Sequence, residues 1–291
     1  MPFNFRNFSL LSIFFVLTLP STALAAGGEI SQSAQELTEI LGLPLTNSMV
    51  ASWIVSLFII FLCRFIIRKP KLIPSRGQSI VEMLIEKIRE IIEPIIGKRM
   101  FKPTLWLLCS LFIFTLINNW SGLFPGIGTI GHVDEGQFIP WIRPSNTDLN
   151  MTIALALVSM AAWLYYITRY AGLKFVIHDV FGNKANKSDV PTILYYFLAF
   201  IFFFVGLIEV VSILFRPVSL SFRLFGNIYG GKGLLSGISS LSDFSMWLLP
   251  IPFYFLELLI GLVQALVFVL LVAVYIGLIC NHQSDEHAPQ H

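Results

Sequence analysis

"LIEVVSILFRPVSLSFRLFGNIYGG", residues 207–231, carries two arginines through a run otherwise fit for the interior of a membrane. On insertion scales a guanidinium at the centre of a bilayer costs roughly 2.5–3.5 kcal/mol, so Arg223 needs a compensating role. Taken as a helix, the stretch aligns its polar residues. Glu209, Ser212, Arg216, Ser219, Arg223 and Asn227 are separated by 3, 4, 3, 4 and 4 positions, which places all six on one stripe. Intramembrane charges face protein or water, so the stripe borders an aqueous path or a partner. Gly226, Gly230, Gly233 and Gly237 recur on an overlapping face, where small residues let another helix approach closely. A plain packing seam accounts for the serines and glycines, but not for Arg223.

The run around this stretch, 191–236, is too long for one upright span. As a helix of about 46 residues it measures about 69 Å, against about 30 Å of hydrocarbon. The last apolar segment, 245–280, measures about 54 Å on the same arithmetic. Ordinary tilt, averaging about 20°, does not absorb that excess. Either each segment breaks into two spans, or the pair forms a strongly slanted hairpin. No polar turn interrupts either one, which favours the hairpin. The second arm has its own stripe: Glu257, Gly261 and Gln264 are spaced 4 and 3, and Tyr275 returns to that face eleven residues on. A carboxyl in apolar surroundings can take up and release protons, as a relay requires. The alternative for Glu257 is a hydrated place near the outer end of the helix. Gln264, with donor and acceptor on one amide, can bond Arg223 across the hairpin or be satisfied by packing.

Composition fixes the class. Apolar residues make up 56% of the 291 and charged residues 12%, against roughly 25% charged in soluble domains, so the chain is an all-α, multi-pass membrane protein. The net charge of +2 says little beside the placement of the basic residues. Cys63, Cys109 and Cys280 are too scattered for a disulfide framework or a zinc spacing. Residues 1–26 have the basic start, short apolar core and small-residue end of a cleaved export signal, a retained first helix being the alternative. Residues 27–47 then form an exported segment, and 48–291 a single membrane domain. Spans are expected at 49–67, 104–124 and 149–168. Between the first two, 78–97 places Ile80, Leu84, Ile88, Ile91 and Ile95 opposite Glu82, Glu86, Lys87 and Glu90, the pattern of a helix lying in the membrane surface.

Orientation follows from the basic residues. Ten of the 19 fall between Arg64 and Lys102, and Arg169, Lys174, Lys184 and Lys187 follow the third span, whereas 125–147 holds only Arg143. The positive-inside rule puts 68–103 and 169–190 in the cytoplasm and 125–147 outside, with the N-terminus outside and the C-terminus in the cytoplasm of a bacterial inner membrane. His282, His287 and His291 belong to a short polar tail expected to be disordered. No phosphate-binding glycine loop, metal cluster or Ser/His/Asp arrangement is visible, so no cofactor, metal or nucleic acid is expected.

"RPVSLSFRLFGNIYGG" followed by "LELLIGLVQALVFVLLVAVYIGL" closely resembles the last two helices of subunit a of F-type ATP synthases. "LINNWSGLFPG" and "RPSNTDLNMT" extend the likeness over the mature chain. The resemblance implies a non-catalytic stator that passes protons through two half-channels to a ring of c subunits, each carrying a membrane-embedded carboxylate. Subunit b of the peripheral stalk, the rest of the ATP synthase and membrane lipid are its expected partners. It implies that Arg223 separates the half-channels, with Asn227 and Gln264 beside it and Glu257 on the outer path. Glu209, Ser212 and Ser219 match the cytoplasmic path, and Asn119, Asp148 and Asn150 the outer lining; Lys232 and Tyr275 are further lining positions. Arg216 stands where the family often has a basic residue.

Two departures stand out. Many bacterial relatives have a carboxylate at the position of Lys232 and a histidine at that of Glu257. Here Lys232 either pairs with Glu257 or snorkels to the outer interface. Gly122 replaces a frequent aspartate, so the outer path is expected to be lined differently. A competing reading is a secondary transporter binding a small anion at Arg223, although such folds tend to show internal repeats and none is visible. An intramembrane enzyme using Glu209 or Glu257 as an acid would lack a nucleophile or metal partner.

Overall fold

The computed structural model describes residues 36–40, 43–66, 73–124, 127, 130–134, 137–170, 172, 191–239 and 250–286. The expected export signal, residues 27–35 of the exported segment, His287 and His291 lie outside the described residues. So do the basic residues Arg68, Lys69 and Lys71 and the stretch holding Lys174, Lys184 and Lys187.

Among the described residues there are six α-helices: α1 (Asn47–Ile66), α2 (Arg76–Ile96), α3 (Lys98–Ser121), α4 (Leu149–Tyr170), α5 (Thr192–Ser239) and α6 (Pro250–Glu286). Five of them, all but α2, are long and apolar enough to cross a membrane. The architecture is all-α and multi-pass, as the composition requires. Two short antiparallel hairpins were not legible in the sequence: β1 (Glu36–Ile40) with β2 (Leu43–Thr46), and β3 (Gly131–Asp134) with β4 (Gln137–Pro140). They lie in connections, where the chain has no apolar periodicity to declare them.

The two long segments are each continuous. Helix α5 runs 48 residues through Pro217, and α6 runs 37. A proline removes one backbone hydrogen bond, a loss that neighbouring helices and local adjustment make tolerable in membrane helices. At about 72 Å, α5 is more than twice the hydrocarbon thickness, so it spans only at a strong slant. Helix α6 continues through His282 to Glu286, which corrects the expectation of a disordered tail at that histidine. Helical hydrogen bonding simply carries on past the last apolar turn.

Helix α2 starts where Ser75 caps it, its side chain accepting from the Gln78 N–H, and ends at Gly97, whose φ of 84° admits few residues but glycine. That single residue separates α2 from α3. Ile88, Ile92 and Ile96 are buried and Ile95 partly so, whereas Ile80, Leu84 and Ile91 are exposed. The buried isoleucines belong to the C-terminal half of α2; at the other end Gln78 is buried and a Cβ added at Gly77 would stand 3.1 Å from Ile66 of α1. At the C-terminal end a side chain on Gly277 of α6 would stand 2.6 Å from the Ile95 carbonyl oxygen, which shows how closely the two backbones approach.

Helix α6 is the hub. It packs on α2, α3, α4 and α5, and Ala265, Phe268, Val269, Val272, Ala273 and Ile276 are all buried along it. In lipid such burial does not remove apolar surface from water, so close packing and hydrogen bonds hold the bundle together. Trp163 of α4 donates to the Tyr275 carbonyl at 2.9 Å, Trp120 of α3 to that of Leu258 at 3.0 Å, and Asn119 to that of Gly261 at 2.9 Å.

Candidate functional site

The two arms of the hairpin meet in antiparallel register, and three contacts fix it. Asn227 Nδ2 donates to Gln264 Oε1 at 2.7 Å. The carboxyl of Glu257 lies against Gly231, where an added Cβ would collide with it. At the other end the Arg216 guanidinium stacks over the Tyr275 ring, 4.5 Å from its centroid. Arg223 falls between, level with Phe268 by the same register.

Arg223 is exposed, with no hydrogen bond or ion pair to the described residues. Its face continues through Gly226, Gly230, Gly233 and Gly237, which are also exposed; a Cβ added at any of them would meet nothing within 4 Å. The expected bond from Gln264 to Arg223 is not formed. A guanidinium has donors only, so Oε1 is the one atom of Gln264 it could use; that atom accepts from Asn227 instead. Gln264 Nε2 is buried without a hydrogen-bond partner among the described residues.

Glu257 is 6% exposed and has no hydrogen-bond or ion-pair partner among the described residues, so the alternative of a fully hydrated end position does not hold. Lys232 stands next to Gly231 on the chain and is half-buried, yet it makes no ion pair with Glu257. The only ion pairs among the described residues are Lys87–Glu90 and Arg89–Glu93 on α2.

The chain leading into α4 closes over the Glu257 end of the hairpin as a buried polar nest. Arg143, Ser145, Asn146, Thr147 and Asp148 are all buried there. Arg143 donates from Nε to Thr147 Oγ1 at 2.9 Å and from Nη2 to the Thr147 carbonyl at 3.0 Å. Burial pushes its guanidinium down from the ordinary arginine value, and the nearby Asp148 and Tyr229 push it back up. Asp148 accepts from Ser48 Oγ at 2.7 Å and from the Asn150 backbone N–H at 3.1 Å, so it ties α1 to the start of α4. Asn146 donates to Asn119 Oδ1 at 2.6 Å, and Ser145 donates to Asn118 Oδ1. Asn119 and Asp148 thus belong to this nest, while the side chain of Asn150 is exposed outside it. At Gly122 an added Cβ would stand 3.3 Å from Pro144, so any side chain there would press on the nest.

Sequence reasoning singled out Asn119 and Asp148 but missed Asn118, Ser145, Asn146 and the bridging by Arg143. The signal was the polar run 145–148, with Arg143 just before Pro144, between two apolar helices. On the other side of Arg223, Ser219 and Ser212 are exposed and Glu209 is half-buried, all on the stripe that α5 keeps intact past Pro217. Tyr275 presents its ring to Arg216.

Two comparisons bear on this arrangement. Residues 49–277 match the protein family described as ATP synthase A chain. The ATP synthase subunit a of Gloeobacter violaceus is 31% identical over 273 residues, a likeness that takes in 93% of this chain and 98% of that protein.

Proposed function

The chain belongs to the ATP synthase A chain family, and from that premise we propose that it forms the fixed wall of a rotary proton path, with Arg223 as its barrier. As a member of this family it is a non-catalytic, multi-pass subunit of the bacterial membrane sector, works against the c-ring and serves proton transport in ATP synthesis. The finer assignment starts from one observation: a permanently charged group stands unpartnered on an open, glycine-lined helix face. That face suits a ring of closely approaching helices, each bringing a carboxylic acid past Arg223.

The electrostatics suffice. A guanidinium and a carboxylate about 4 Å apart attract by about 4 kcal/mol at an effective dielectric of 20, which biases the acid toward ionisation roughly a thousandfold. The arriving acid therefore gives up its proton. Arginine stays protonated, so it does not hand that proton through to the other side, whereas a desolvated lysine would lose its charge more readily.

Glu257, with Asn119, Asp148 and the polar nest, lies on the outer path in this reading, and Lys232 borders it. Glu209, Ser212 and Ser219 line the cytoplasmic path. Asn227 and Gln264 hold the arms together beside the barrier. The N-terminus is outside and the C-terminus in the cytoplasm. Lipid and subunit b of the peripheral stalk cover surfaces such as that of α1, where Leu57, Ile60 and Phe61 are exposed.

The test compares native chain with Arg223→Ala in vesicles carrying the assembled complex. Coupled ATP synthesis is expected to vanish while assembly persists. Unchanged coupling would remove the proposal.

A further inference from the structure

We propose that Arg216 is a positioning residue, its charge clamping α5 to α4 and α6 through two aromatic rings at the point where α5 is weakest. The proposal rests on the proton-path reading above and concerns how that path is held in line.

Arg216 lies 4.5 Å from the Tyr275 ring centroid and 5.8 Å from that of Trp163. The platform is rigid, because Trp163 is buried and its Nε1 donates to the Tyr275 carbonyl at 2.9 Å. No carboxylate among the described residues forms an ion pair with Arg216. Cation–π attraction strengthens as water is removed, so two rings inside a membrane domain are an effective resting place for the charge.

Its location gives the clamp a purpose. The next residue is Pro217, which removes a helix hydrogen bond and admits a bend. On one side of it Leu220, Leu224 and Ile228 are buried against the bundle. On the other, between Phe200 and Phe215, Gly206 alone is buried. Arg216 therefore sits at the boundary between the anchored and the projecting halves of α5. Glu209 and Ser212 are on the projecting half and Arg223 on the anchored half. Only a fixed joint keeps that polar stripe continuous. Tyr275, which the sequence suggested as lining, contributes its ring in this account rather than its hydroxyl.

The experiment measures ATP-driven proton pumping per ATP hydrolysed, in vesicles carrying the whole complex. Arg216→Met deletes the charge, keeps the length and remains compatible with lipid. It and Tyr275→Leu are each expected to lower the ratio roughly fivefold. Tyr275→Phe keeps the ring and should pump several-fold better than Tyr275→Leu. The double variant Arg216→Met/Tyr275→Leu should be no worse than the poorer single, since both remove one contact. A clamp is ruled out if Arg216→Met pumps like native, if Tyr275→Phe is as poor as Tyr275→Leu, or if the two losses multiply. Should Tyr275→Leu fail to assemble, Arg216→Met decides alone: a native ratio ends the proposal and a fivefold fall sustains it. Arg223→Ala runs alongside. If it retains coupling, the proton-path reading falls; if it loses coupling while Arg216→Met does not, only the clamp falls.

Discussion

Helices α5 and α6 are alike in everything hydropathy can see, and the fold uses them in opposite ways. Both exceed an upright span, and both are strongly apolar. Yet 44% of α6's apolar window is buried within the chain, against 6% of α5's. Lipid tails and leucine side chains are equally apolar, so composition gives a helix no instruction about which of them to face. What distinguishes the arms is close approach. A Cβ added at Gly261 or Gly277 on α6 would meet neighbours inside van der Waals range, whereas one added at Gly226, Gly230, Gly233 or Gly237 on α5 would meet nothing within 4 Å. One arm is held, and on the reading proposed above the other is offered to a partner.

The contrast breaks most readily at the glycines. Gly277→Val would drive a side chain into the Ile95 carbonyl and the Ile96 Cα, backbone atoms that cannot step aside. The expected loss is about 1–3 kcal/mol of stability or more, seen as a lower melting temperature of the solubilised chain. Gly233→Ala on α5 should stay within about 0.5 kcal/mol of native in the same measurement. Equal effects at the two positions would erase the distinction between the arms.

Gly231→Ala sharpens it, because this glycine belongs to the offered arm but faces the held one. The added Cβ meets the flexible end of Glu257, so the acid shifts and the chain still assembles. If Glu257 handles protons as proposed, its misplacement on the order of 1 Å should lower coupled synthesis roughly tenfold with normal complex abundance.

The smallest effect belongs to α2, outside both arms. The hydrogen bond from Arg89, at 2.7 Å, holds the Glu93 carboxyl below its ordinary value. A depressed value in the folded chain means that the stabilisation is present above the ordinary carboxylate range and disappears as pH falls through the lowered one. Glu93→Gln should therefore melt slightly below native at neutral pH and together with native in strong acid. High salt should narrow the gap as well.

Much of the fold was written in local sequence. Apolar run length marked the five candidate spans, and the alternation of Ile88 with Glu86 and Glu90 marked α2 as an amphipathic helix. The stripe from Glu209 to Asn227 announced itself because helical spacing of costly residues is rare by chance. What escaped depended on contacts between distant residues. Nothing local tells Gln264 to spend its carbonyl on Asn227 rather than Arg223, or places Asn118 beside Ser145. Nothing in α2 says that Ile92 is buried and Ile80 is not, since both fit an apolar face and only the reach of the bundle divides them.

The bare guanidinium on α5 also has a consequence for biogenesis. On the proposed reading, a newly inserted chain, before any companion arrives, leaves the exposed Arg223 in hydrocarbon and bears an insertion penalty of roughly 2.5–3.5 kcal/mol. On that same reading, docking of the first acid-bearing helix relieves the penalty, which gives the solitary protein an incentive to join its complex.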